Sequence, residues 1–113
     1  MKRGEIWLVN LDPTLGAEIR KTRPCVIVND DAIGALPLKI IAPLTDLKER
    51  YRSVPWMLCI EPDAGNGLSK PSAVDLFQVR CLADVRLVRK IGEIGQVQLL
   101  KAQKALKLVF GME

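Results

Sequence analysis

At 113 residues, 49% of them hydrophobic, the chain is long enough to bury one core without metal or disulfide staples, so a single domain spanning 1–113 is expected. A net charge of +4 and a pI near 9.2, with the basic excess shared by both halves, mean that any anion site must be built by folding and not by a basic tail. Histidine is absent, which removes the commonest general acid/base, His-ligated metals and Ser–His or Cys–His nucleophile pairs.

In chain order, "EIWLVNL" (5–11) alternates around Ile6, Leu8 and Asn10 and predicts a strand. "DPTLGAEIRKTR" (12–23) holds Pro13 and Gly16 and reads as a loop. "PCVIVN" (24–29) is a short, β-branched, buried strand, so Arg23 stands at its mouth. "DDAIGALP" (30–37) is a turn or a single helical turn, and "LKIIAPLT" (38–45) is the next strand. A charged connection, "DLKERYRS" (46–53), leads to the strand "WMLCI" (56–60). "EPDAGNGLSKP" (61–71) is broken by Pro and Gly, and "SAVDLFQVRCL" (72–82) is a strand pair or one bent strand. From Gln98 to Phe110 the residues Leu99, Ala102, Leu106, Val109 and Phe110 share one helical face, opposite Lys101, Lys104 and Lys107, with a stop at Gly111. Leu100 and Leu108 fall among the lysines, either as incidental surface leucines or as a subunit contact.

Short strands every dozen residues, joined by Gly/Pro turns, point to a mainly β fold: a small barrel or sandwich closed by an amphipathic C-terminal helix. No run of about 18 apolar residues predicts a membrane span, and "MKRGEIW" lacks the apolar core of a signal peptide. Cys25, Cys59 and Cys81 are odd in number and set among apolar residues, as expected of reduced, buried thiols in a cytoplasmic protein. Without CxxC pairs or a dense carboxylate cluster, no metal or other cofactor is expected.

Four motifs occur in order: "RGEIWLVNLDPTLGAE", "TRPCVIVND", "APLT" and "SAVDLFQVRCL". Together they resemble the MazF/PemK family of toxin endoribonucleases over essentially the whole chain. The resemblance implies an SH3-like β-barrel, a homodimer, metal-free cleavage of single-stranded RNA, neutralisation by a cognate antitoxin, and contact with DNA only through that antitoxin. It also places a catalytic arginine in the Arg-Pro motif, here Arg23, and a catalytic hydroxyl at the end of "APLT", here Thr45. Physical chemistry agrees with both roles. Pro24 biases Arg23 to an extended backbone, and a guanidinium offers a rigid fork of donors to a phosphate. A hydroxyl donates to a non-bridging oxygen as the phosphorane forms. Cleavage by the substrate's own 2′-hydroxyl would leave a cyclic 2′,3′-phosphate and a 5′-hydroxyl.

The chain departs from relatives that use an Arg-x-Asp pair and a loop histidine: Asp75, Phe77 and Ala17 occupy those three positions. The group that removes the 2′-hydroxyl proton is left among Glu18, Asp75 and water. Gln78 matches a family position near the substrate, and Arg20, Lys21, Arg50, Arg52 and Arg80 are candidates for a phosphate track. Trp7 and Trp56 are candidates to stack on bases, as aromatics do in single-strand binders, but with only five aromatics available both are expected in the core or an interface. Two other readings compete: a non-enzymatic toxin of the same barrel that binds a protein such as gyrase, and a plain nucleic-acid-binding module. The first is disfavoured by the ending "VFGME", where such relatives carry Trp-Gly-Ile.

Overall fold

A computed structural model describes residues 1–33 and 35–112. Residue 34, inside the expected 30–37 turn, lies outside the described residues, as does residue 113. The strands are β1 (Glu5–Asn10), β2 (Thr22–Ile27), β3 (Leu38–Asp46), β4 (Met57–Ile60), β5 (Ser72–Asp75), β6 (Arg80–Ala83) and β7 (Leu87–Glu93). One helix follows, α1 (Gln96–Val109), and short 3₁₀ turns occupy Asp31–Ile33, Glu49–Ser53 and Asp84–Arg86. The mainly β fold with a closing helix is therefore the one expected from sequence.

The strands pair antiparallel in the order β4-β5-β3-β2-β1-β7, with β6 also on β3. β3 is the hub. Its first half pairs with β6 from Leu38↔Ala83 to Ile41↔Arg80, and its second with β5 from Leu44↔Val74 to Asp46↔Ser72. Pro43, which has no N–H to give a ladder, falls where the partner changes.

Both faces of the central strands are covered. Ile6, Val26, Ala42 and Leu44 pack with Leu58, Ile60 and Val74 from β4 and β5, and with Ala102 and Ala105 from α1. On the other face Val9, Cys25, Ile27 and Ile41 pack with Leu11, Leu82 and Leu87. Double burial explains why "CVIV" is an unbroken apolar run. It also explains β1, where the face expected to be buried holds half-buried Leu8 and exposed Asn10, while Val9 opposite is fully buried.

Several expectations need correction. The second strand begins at Thr22, so Arg23 lies within it. Residues 87–93, to which the sequence reading gives no element, form β7; this end strand buries only Leu87 and exposes Val88, Arg89, Lys90 and Glu93, so no periodicity marks it. Cys25 is buried, but Cys59 is half-buried and Cys81 exposed, because β6 turns that side chain outward. Trp56 is exposed, and Trp7 is half-buried with its indole N–H donating to Glu5 Oε1 at 2.9 Å. Phe110 is also exposed: it is the residue on which α1 ends, while Ala105 takes the buried place beside Ala102. Gly111 ends the helix with φ 67°, as its position suggested.

The β4–β5 connection, 61–71, is built around Asn66, whose buried amide accepts from the Asp63 and Leu68 N–H groups and donates to the Glu61 carbonyl. This loop lies against β7 so closely that neither Gly67 (facing Ile91) nor Gly92 (facing Asn66) has room for a Cβ. The Glu93 N–H donates to the Gly65 carbonyl at 3.0 Å.

Candidate active site

β2 and β3 bring the two principal candidates together. Cys25 pairs with Pro43, and the same register carried two residues further sets Arg23 level with Thr45. Across β3, Thr45 pairs with Ala73, and Asp46 with Ser72. Arg23 and Thr45 are half-buried and line one small cleft of about 130 Å³ together with Asp46, Lys70 and Ser72. Arg23 Nε donates to the Arg20 carbonyl at 3.2 Å, which folds the guanidinium back on its own loop and leaves its Nη groups for a ligand.

Asp46 and Lys70 are functional candidates that sequence reasoning missed. Lys70 Nζ lies 2.8 Å from Asp46 Oδ1. That hydrogen bond, followed by the charges of Lys70, Arg23 and Lys48, holds the Asp46 carboxyl below the usual carboxylate range. No spacing ties residue 46 to residue 70; only the Asp46↔Ser72 register does.

A second, larger cleft of about 450 Å³ adjoins the same sheet face, between the 12–21 loop and the turn after β5. Ala17, Ile19, Pro43, Phe77 and Val79 give it apolar walls, and Glu18, Gln78 and Arg80 its polar groups. Pro43 is two residues from Thr45, and a two-residue repeat keeps both side chains on one sheet face. Cys25, paired with Pro43, lies close enough to feel both Arg80 and Arg23; burial nevertheless pushes its thiol up to about 12.

The remaining candidates carry visible structural duties. Gln78 Oε1 accepts from the Ile19 N–H at 2.6 Å and Nε2 donates to the Ala17 carbonyl at 3.3 Å, so its amide holds the loop. Arg80 Nη1 donates to the Leu11 carbonyl at 3.0 Å. Asp75 Oδ1 accepts from the Phe77 and Gln78 N–H groups, and Glu18 Oε1 from the Leu15 N–H at 2.6 Å. Arg50 sits over the Tyr51 ring, and Arg52 lies 3.2 Å from Glu49 and 3.9 Å from Glu61. Arg20 and Lys21 are exposed at the loop's end, where Lys21 takes a left-handed φ of 71° and its N–H donates to Asp12 Oδ1.

Comparisons with known proteins agree in one direction. Residues 2–110 match the family described as PemK-like, MazF-like toxin of type II toxin–antitoxin system. Endoribonuclease MazF9 of Mycobacterium tuberculosis is 32% identical over 115 aligned positions, covering 96% of this chain and 94% of that one. Endoribonuclease MazF of Staphylococcus epidermidis is 30% identical, covering 99% and 92%. A solved mycobacterial endoribonuclease in complex with its cognate antitoxin has the same fold, with a TM-score of 0.79 at 19% identity and coverage of 100% and 97%. From the ordered motifs, the strand topology and these matches together, the chain belongs to the PemK-like, MazF-like toxin family of type II toxin–antitoxin systems.

Proposed function

We propose that this protein is a metal-independent endoribonuclease toxin that cuts single-stranded RNA at selected sequences in the cytoplasm. The observation that carries the reading is the meeting of Arg23 and Thr45 in one cleft on neighbouring strands. The 2′-hydroxyl oxygen attacks the adjacent phosphorus, and the bond to the 5′-oxygen breaks as that oxygen takes a proton from water. The products are a cyclic 2′,3′-phosphate and a 5′-hydroxyl. Arg23 offers its Nη donors to the phosphate as negative charge grows on it, and the Thr45 hydroxyl donates to a non-bridging oxygen. Because the nucleophile belongs to the substrate, the protein's task is to hold and neutralise the phosphate. Glu18, Asp75 or water takes the 2′-hydroxyl proton. Each carboxylate has one oxygen committed to loop amides, so Glu18→Gln and Asp75→Asn separate them by the acid limb of the pH–rate profile.

The relatives named endoribonuclease support the activity, and the antitoxin complex of the same fold supports control by an antitoxin. An acidic antitoxin segment laid across Arg23 and Lys70 excludes RNA by occupying the cation it needs. Incubation of the purified protein with long single-stranded RNA in EDTA tests the reading. Discrete fragments with 5′-hydroxyl ends are expected, whereas binding without cleavage, or neither, overturns it.

A further inference from the structure

Two of the chain's five aromatic side chains stand outside the core and touch each other. Phe77 is 63% exposed and Trp56 is 37% exposed, with ring centroids 5.7 Å apart and planes tilted by 52°. Their backbones are fixed on both sides. The Phe77 N–H donates to Asp75 Oδ1 at 3.0 Å, and the Leu76 N–H donates to the Trp56 carbonyl at 3.1 Å. The next residue, Gln78, is tied to the 12–21 loop through Ile19 and Ala17. Phe77 is therefore held rigidly outward by bonds that do not involve its ring.

Beside it lies the cleft of about 450 Å³, within the range of small-ligand sites, with apolar walls and polar groups only at Glu18, Gln78 and Arg80. The cleft's Pro43 and Arg80 connect it to the phosphate site: Arg80 and Arg23 both act on Cys25, the cross-strand partner of Pro43. A largely apolar cleft with an exposed ring on one wall suits a nucleobase, and Arg80 at its edge, with Arg23 in the adjoining cleft, suits the phosphates on either side of that base. Every base offers a π-face to such a ring, and the charge selects for phosphate.

We propose that Phe77, buttressed by Trp56, stacks on one base of the bound RNA strand and seats it in this cleft, so that the pair sets affinity and sequence preference while Arg23 and Thr45 act on the phosphate. The proposal rests on the endoribonuclease reading above. It also gives a use to positions where the resemblance marks a loss of acid/base groups: Ala17 and Phe77 supply apolar surface there.

The test begins with wild-type cleavage, which fixes the cut position; a wild type that neither cuts nor binds RNA removes the activity reading and this subsite together. A single-stranded RNA blocked by a 2′-deoxy substitution at that position then carries 2-aminopurine at each neighbouring position in turn. One position should be quenched on binding, and the quenching should persist in Phe77→Tyr and vanish in Phe77→Ala. In cleavage, Phe77→Ala should raise KM roughly 10- to 100-fold, with kcat at saturating RNA within about threefold of wild type. Phe77→Leu, which keeps packing against Trp56 but has no ring face, should behave as Phe77→Ala does, and covers the case in which the alanine variant folds poorly. An unchanged KM in a folded Phe77→Ala protein that still cleaves overturns the subsite while leaving the activity intact. So does a variant defective only in binding an acidic antitoxin peptide, which would assign the aromatic pair to the protein partner.

Discussion

Arg23 owes its position to a few local constraints. Pro24 keeps its backbone extended, Val9 on β1 faces it across the ladder, and the Arg20 carbonyl orients Nε. Arg23→Ala should lower cleavage by a factor of about 100 to 1,000 in single-turnover assays, with an unchanged circular dichroism spectrum. Arg23→Lys should recover little of this, because an ammonium lacks the fork. At Thr45 the hydroxyl and the methyl make different demands. Thr45→Ser should cleave within a few-fold of wild type and Thr45→Ala about 100-fold slower; equal loss in both would assign the threonine to packing. Both residues were legible as candidates because each sits in a short motif, Arg23 near the start of β2 and Thr45 near the end of β3. Asp46 and Lys70 were not, because their meeting depends on how β3 and β5 align, and twenty-three residues of loop and strand lie between them. The sequence marks Gln78 as a position near the substrate, and its amide also serves Ile19 and Ala17; a long-range side chain-to-loop bond leaves no periodic trace.

Among the elements, β1 carries a buried charge whose effect on stability has a definite sign. Burial raises the pKa of the Glu5 carboxyl, but hydrogen bonds from the Trp7 indole, the Lys2 N–H and the Lys90 ammonium outweigh it and lower the value from 4.5 to about 2. The folded pKa is below the unfolded one, so the stabilisation is complete above about 4.5 and is lost as pH falls towards 2. Glu5→Gln, which keeps an acceptor but no charge, should cost roughly 2–3 kcal/mol at pH 7 after allowing for the exposure of Lys90. The gap between variant and wild-type melting temperatures should narrow steadily from pH 5 to pH 2.5. A pH-independent gap would place the loss in packing around Trp7. The other strands of the core were readable from apolar runs and turn residues. β7 carries no apolar run in the sequence because Arg89 and Lys90 interrupt it, and its partner Glu5 gives one of those charges its reason.

At the scale of the whole molecule, a basic barrel with exposed Leu100 and Leu108 on α1 leaves apolar surface that a second copy would cover. Light scattering at micromolar concentration should give twice the 12.5 kDa chain mass, and a monomer would remove this expectation. Within one chain, β4 and β7 end the strand order without pairing to each other. What joins those ends is the 61–71 loop pressed on β7, through Gly67, Gly92 and the Glu93–Gly65 bond. The barrel is thus fastened by a clasp, and the same loop delivers Lys70, and leads into Ser72 of β5, at the cleft of Arg23 and Thr45. Gly92→Ala should force the clasp open, lowering stability by about 2–4 kcal/mol and speeding hydrogen exchange at the Glu93 amide. Cleavage should fall with it, although Gly92 lies on a strand that contributes no residue to the cleft of Arg23 and Thr45. A chain built this way ties its candidate site to the closure of its own sheet: a partner that prises the loop from β7 would remove one wall of that cleft without ever touching Arg23.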